Sequence, residues 1–168
     1  VPCLIDADGL NLIAEHRKYM DRIPHDHLII TPHMKEMSRL TGISVLELKS
    51  RRMEILKEFT EKHHITCVLK DSSTVVASPG ERAYINRSGN ASMAKAGAGD
   101  VLAGIVAGLM AQGMDCQEAG ILGTYLHGRA GDLARREKGS YSVMAGDLIE
   151  YLSEAFKEQE EKNYEQLY

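Results

Sequence analysis

The chain has 168 residues, the size of one domain or a large part of one. Its 43% hydrophobic and 26% charged residues are ordinary for a soluble globular protein, and a net charge of −4 supplies no basic field for nucleic acid. No apolar run reaches the roughly 20 residues that a bilayer span needs, and no signal pattern opens the chain, so neither nucleic acid nor membrane is an expected partner.

In chain order, Cys3–Asp6 reads as a buried strand with nothing before it, which predicts that N-terminal strands of the fold are lacking. Leu28–Thr31 and Thr66–Lys70 are also continuous apolar runs, the pattern of parallel strands covered on both faces. Between them, Thr31-Pro32 offers a helix cap followed by proline at the first helical position. Ser44-Val45-Leu46-Glu47 is a capping-box sequence that opens a helix to about Lys62, with Leu48, Ile55, Leu56 and Phe59 on one face. Thr74–Ala77 and Arg82–Asn86 flank Ser78-Pro79-Gly80-Glu81, a turn sequence, and predict a hairpin. Asp115–Glu118 opens a helix carrying Ala119, Leu122, Leu126, Ala130 and Leu133, and a last helix is expected from Ala145 to about Phe156. The alternation predicts an α/β sandwich around a mostly parallel sheet over residues 1–156, with a polar tail at 157–168. Cys3, Cys67 and Cys116 form no CxxC and read as reduced, mostly buried thiols of a cytoplasmic protein. The histidines show no metal-binding spacing; His63-His64 reads as a solvated helix end, and His25 and His27 as loop residues.

The segment from Gly89 to Gly104 carries the chemistry. From Ala94 to Gly99 nearly every residue is small, and a helix with Val101, Leu102, Ile105, Val106 and Leu109 follows. Small residues let backbone N–H groups approach an anion, and a helix start adds positive partial charge, so Gly97, Ala98 and Gly99 can cradle a phosphate. Asp100 at that pole either caps the helix or serves as general base on a hydroxyl beside a transferring phosphoryl group. The loop is neither a Walker A sequence nor a dinucleotide fingerprint. Gly104 and Gly108, four apart, predict a close-packing helix face.

Five segments resemble the ADP- or ATP-dependent NAD(P)H-hydrate dehydratases, a family with the fold of ribokinase. They are Leu4-Ile5-Asp6-Ala7-Asp8-Gly9-Leu10-Asn11, Thr31-Pro32-His33-Met34-Lys35-Glu36-Met37, and Val68-Leu69-Lys70-Asp71-Ser72-Ser73-Thr74. Tyr84-Ile85-Asn86…Gly89-Asn90…Met93-Ala94…Gly97-Ala98-Gly99-Asp100-Val101-Leu102 and Tyr125-Leu126-His127-Gly128…Ala130-Gly131-Asp132 complete the set. The resemblance runs from Pro2 to about Leu152. It implies a ribokinase-like three-layer α/β/α sandwich, ADP or ATP with Mg²⁺ as cofactors, and (S)-NADHX or NADPHX as substrate. It also implies a homo-oligomer, often a tetramer. The departures are Ala98 where a hydroxyl is common, Met34-Lys35 in place of Pro-Gly, and Asp71 in place of glycine.

By this resemblance Asp100 contacts substrate and acts as base, while Asn90, Gly97, Ala98 and Gly99 hold the nucleotide phosphates. Lys70, Asp71, Ser72, Ser73 and Thr74 line the adenine-nucleotide site, or simply form a strand end and turn. His33 binds the hydrated nicotinamide, or caps a helix. Asp8 and Asn11 orient substrate or a hydrated magnesium ion, or shape the strand-to-helix turn. His127 and Asp132 are read as structural. A small-molecule kinase on the same fold and a nucleotide-binding fragment without catalysis remain the competing readings.

Overall fold

The computed structural model describes residues 1–16, 18–19 and 27–165, with side chains to 161. Five strands form one mixed sheet in the order β1 (Cys3–Ile5), β2 (Leu28–Ile30), β3 (Thr66–Leu69), β4 (Val75–Ala77) and β5 (Tyr84–Ile85). The first three are parallel, and β4 and β5 each run antiparallel to the strand before them. Parallel pairing needs long crossovers. The chain from β1 to β2 includes α1 (Asp8–Glu15), and α2 (Met34–Thr41) with α3 (Val45–His63) links β2 to β3. The turn at residues 70–74 and the predicted Ser78–Glu81 turn supply the two antiparallel returns.

Alternate strand residues face opposite layers. Leu28, Ile30, Cys67, Leu69, Val75 and Ala77 pack on α1, α2 and α3. Ile29, Val68 and Val76 pack on α4 (Ala98–Ala111) and α5 (Cys116–Lys138). β2 and β3 are wholly buried, as their apolar runs require. β1 departs from that expectation: only β2 pairs with it among the described residues, and it runs from exposed to half-buried. Cys3 is therefore exposed, Cys116 is half-buried, and only Cys67 fits the expected buried thiol; all three are free. Burial pushes the Cys67 thiol well above its ordinary range.

Ser44 Oγ accepts from Glu47 N at 3.2 Å and Asp115 Oδ1 from Glu118 N at 2.8 Å, so both predicted caps form. The Thr31 cap does not. Pro32 O accepts from Lys70 N at 2.8 Å and His33 bridges Lys70, which keeps the chain extended for two further residues. His33 caps α2 instead. The last expected helix is two, α6 (Ala145–Glu150) and α7 (Leu152–Glu165), parted at Tyr151, and α7 continues into the polar tail as far as Glu165.

The glycine stripe that brings elements together lies on α5, not α4. Gly104 and Gly108 are exposed, and a Cβ at either would meet nothing within 4 Å, because α4 turns its opposite face, Leu102, Ile105, Val106 and Leu109, to the sheet. On α5, by contrast, a Cβ would come within 3.0 Å of Val76 Cγ1 at Gly120, 2.6 Å of Val106 Cγ2 at Gly123, 2.1 Å of Ser88 Oγ at Gly128 and 2.2 Å of Met93 Sδ at Gly131. One face of α5 thus lets the sheet, α4 and the 86–93 loop approach to backbone distance. Among the described residues no helix is long and apolar enough to cross a membrane. His25 lies outside the described residues; His27 is exposed, and His64 ends α3 in the left-handed region.

Candidate functional site

The parallel strands all end on one side of the sheet, where open α/β folds hold their ligands. A cavity of about 900 Å³ opens there. His33 follows β2, Lys70 to Thr74 follow β3, and Asn86 to Asn90 follow β5. The first turn of α4 contributes Ala98 and Gly99, and α5 contributes Thr124, His127 and Gly128.

Two charges meet at the strand ends. Lys70 Nζ donates to Asp6 Oδ1 at 2.7 Å, joining the ends of β3 and β1 across the sheet, and both side chains are mostly buried. Ala7, with φ 47, turns the chain sharply after Asp6. A Cβ on Gly99 would lie 3.6 Å from Lys70 Nζ, which places the ammonium against the start of α4. Gly97 enters that helix with φ 87, a conformation open to glycine, and supplies no side-chain cap. The N–H groups of Gly99 and Asp100 find no acceptor among the described residues. An uncapped helix start with a lysine beside it is an anion seat.

The loop leading to this helix is fixed by its own polar side chains. Asn86 Nδ2 donates to Ser88 O at 3.1 Å and to Thr124 O at 3.4 Å. Asp132 accepts from Gly89 N at 3.0 Å and from Asn90 Nδ2 at 2.8 Å, and Asn90 Oδ1 accepts from Ser92 N and Ser92 Oγ. The polar atoms of Asn90 are thus committed inside the protein, so the residue shapes the cavity wall through its backbone. Arg129 ties the arrangement to α7 through Glu158 at 2.7 Å.

His127 stands on the cavity side of α5 with a buried Nε2 that has no hydrogen-bond partner among the described residues. Burial drives its pKa down to about 4; a hydrogen bond with the Ala98 backbone opposes this, and the Lys70 charge adds to it. The ring is neutral at pH 7. In the sequence His127 reads as structural because Asp132, five residues on, does not share its helix face; its placement on the wall depends on α5 lying under the 86–93 loop.

The sequence-derived candidates divide. His33, Lys70, Asp71, Ser72, Thr74, Asn90, Ala98 and Gly99 share the cavity wall. Ser73 and Gly97 adjoin it in the chain. His33 also fills the cap role: its Nδ1 accepts from Lys35 N at 3.1 Å and Glu36 N at 3.0 Å, and Glu36 Oε2 accepts from His33 N at 2.7 Å. Asp71 lies 3.9 Å from Arg52, turned toward α3. Asp100 is exposed in the first turn of α4, one residue beyond the part of that turn that lines the cavity. Asp8 and Asn11 are not brought to this cavity. They line a shallow groove with Glu15 and Arg39, where Asn11 Oδ1 accepts from Arg39 Nη1 at 2.7 Å. Asp6, Lys95, Ser88 and His127 were not singled out as site residues from the sequence. Asp6 sits at a strand end two residues before Asp8, and that position was the available signal. Among the described residues no three His, Cys, Asp or Glu side chains gather to hold a metal ion.

The sequence profile described as NAD(P)H-hydrate dehydratase matches residues 1–154. A bifunctional NAD(P)H-hydrate repair enzyme of Moorella thermoacetica is 42% identical over 96% of this chain and 30% of its own length. An ADP-dependent (S)-NAD(P)H-hydrate dehydratase of Neisseria meningitidis is 39% identical over 88% of this chain and 50% of its own. The structure of the ADP/ATP-dependent NAD(P)H-hydrate dehydratase of Bacillus subtilis, crystallised with ATP and Mg²⁺, superposes with a TM-score of 0.81 at 31% identity. It is covered to 55% by 94% of this chain. A ribokinase-like protein of Enterococcus faecalis matches with a TM-score of 0.76 at 27% identity. The chain therefore spans between 30% and 55% of the length of these relatives.

Proposed function

Since this chain belongs to the NAD(P)H-hydrate dehydratase family, we propose that it carries the nucleotide-binding part of an ADP-dependent dehydration of (S)-NADHX or NADPHX to NADH or NADPH. The observation that carries the reading is the uncapped start of α4 at Ala98–Gly99, beside Lys70, on the wall of a 900 Å³ cavity.

The chemistry suits a kinase fold. Hydroxide is a poor leaving group. The hydrate's hydroxyl oxygen attacks the terminal phosphoryl group of ADP, AMP departs, and the hydroxyl proton passes to a base. The carbon–oxygen bond of the phosphate ester then breaks, inorganic phosphate leaves, and loss of a ring proton restores the dihydropyridine. Backbone N–H groups of Gly99 and Asp100 receive phosphoryl charge without reorganising, and Lys70, already aimed by Asp6, adds a cation. Asp100, exposed on that same turn, is the base in this reading. His33 lines the same cavity, with Nδ1 occupied by the α2 cap and Nε2 3.4 Å from Glu36 Oε1. Magnesium neutralises phosphate charge when bound. It would be held chiefly by phosphate oxygens and water, the usual manner of that ion in phosphoryl transfer. ATP is the alternative donor.

A second reading is nucleotide binding without turnover. Its motive is specific: most of the nucleotide-side candidates line the cavity, while Asp8, Asn11 and Asp100 do not. One experiment separates the two. Calorimetry with ADP is expected to show binding, and incubation with ADP, Mg²⁺ and (S)-NADPHX is expected to restore absorbance of the reduced nicotinamide. Binding without that recovery supports the second reading; no binding removes both.

A further inference from the structure

The cavity wall carries few formal charges, and nearly all are already balanced. Lys70 is paired with Asp6 at 2.7 Å. Asp71 has Arg52 at 3.9 Å. His33 faces Glu36 at 3.4 Å and is committed to the α2 cap. His127 is buried and neutral. Lys95 differs: it lines the cavity, and its ammonium has no acid partner among the described residues.

Its backbone is well placed. Lys95 N donates to Met93 O at 2.8 Å, and Lys95 O accepts from Ala98 N at 3.3 Å, which fixes the residue to the entrance of α4. Ala94, Ala96, Gly97, Ala98 and Gly99 have no polar side-chain atoms. Lys95 is therefore the one side chain of residues 94–99 able to hydrogen-bond a ligand. A cation beside a helix N-terminus sits at the unfavourable pole. Here the protein supplies no carboxylate partner to offset it, whereas an anion seated on Gly99 and Asp100 N–H would answer both charges at once.

We propose that Lys95 reads the charge of the phosphate chain, its ammonium contacting the phosphates of a nucleoside diphosphate or triphosphate seated at the start of α4. The inference rests on the adenine-nucleotide reading above and adds a specificity determinant to it. A lysine acts as a compact point charge. Its contribution grows with the charge of the phosphate chain and vanishes for the uncharged nucleoside.

The test is calorimetric titration of adenosine, AMP and ADP into the wild-type chain, Lys95→Gln and Lys95→Arg, at low and high salt. Lys95 is exposed, and circular dichroism of each variant checks that the fold is kept. Lys95→Gln is expected to weaken ADP about tenfold, as loss of one charge-assisted contact does, to weaken AMP less, and to leave adenosine unchanged. Lys95→Arg is expected to stay near wild type, and the salt dependence of ADP binding is expected to be shallower in Lys95→Gln. Unchanged ADP affinity in Lys95→Gln, or equal losses for adenosine and ADP, overturns the role of Lys95 alone. Absence of ADP binding by the wild-type chain overturns the nucleotide reading and this inference with it.

Discussion

Two helices of this protein start at the same cavity, and they treat their first turns in opposite ways. At α2 the imidazole of His33 takes the N–H groups of Lys35 and Glu36, and Glu36 returns a carboxylate to His33 N. At α4 Gly97 brings no side chain, and the N–H groups of Gly99 and Asp100 are left without acceptors among the described residues. The unmet donors of a helix start must go somewhere. A pole closed by its own sequence is a structural device, whereas a pole kept open at a cavity wall is a place for an anion. Lys70, beside the open pole, is aimed there by Asp6.

That contrast can be broken at several points. Asp100→Asn has the largest expected effect: a hundredfold or greater loss of turnover, the ~10²–10⁴ range of general acid–base catalysis, with ADP binding largely kept. Steady-state kinetics against calorimetry checks it, and near-normal turnover would remove Asp100 as base. Next is the support of the open pole. Gly128→Ala would set a Cβ 2.1 Å from Ser88 Oγ and 2.6 Å from the Ser88 carbonyl carbon. Chemical denaturation should show a loss of ~3 kcal/mol, the upper end of overpacking costs, together with weaker ADP binding as the 86–93 loop is displaced.

His127 gives a comparable effect that depends on pH. Its native pKa, about 4, lies below the 6.5 of the free side chain, so the unfolded chain binds the extra proton between those values. Its contribution is full above pH 6.5, fades as pH falls, and is gone below about 4. The difference is on the order of 3 kcal/mol. Denaturation curves from pH 7 to 4 should steepen this way in the wild type and flatten in His127→Phe; equal slopes would contradict the assignment.

At the closed pole, His33→Ala removes the cap and should lower stability by about 1 kcal/mol, read as a lower thermal midpoint. The smallest effect belongs to Gly104→Ala and Gly108→Ala. Both positions face open space, so each change should stabilise α4 by roughly 0.5–1 kcal/mol.

Much of the layer order was legible because it rests on local pattern. The apolar runs of β2 and β3, the Ser78–Glu81 turn and the caps at Ser44 and Asp115 act through near neighbours. What escaped depended on partners distant in sequence. The Pro32 carbonyl accepts from Lys70 N, 38 residues on in sequence numbering, and that bond moves the helix start from Thr31 to His33. Two glycine-bearing helices look alike in sequence, yet only α5 has the sheet and the 86–93 loop pressed on its stripe. Asp6 and Asp8 lie in one motif, but the turn at Ala7 sends the first to Lys70 and the second to an outer groove with Asn11. The small-residue loop was readable as a phosphate cradle with Lys70 near it; the places of Lys95 and His127 on the same wall were not, because they reach it only through the fold.

The most direct measurement is a titration of the ¹⁵N-labelled chain with ADP, following backbone amide resonances. The account predicts that the Gly99 and Asp100 amides shift most, while those of Lys35 and Glu36, already bonded to His33, move little. Unmoved Gly99 and Asp100 resonances at saturating ADP, or shifts centred on Asp8 and Asn11 instead, would contradict it.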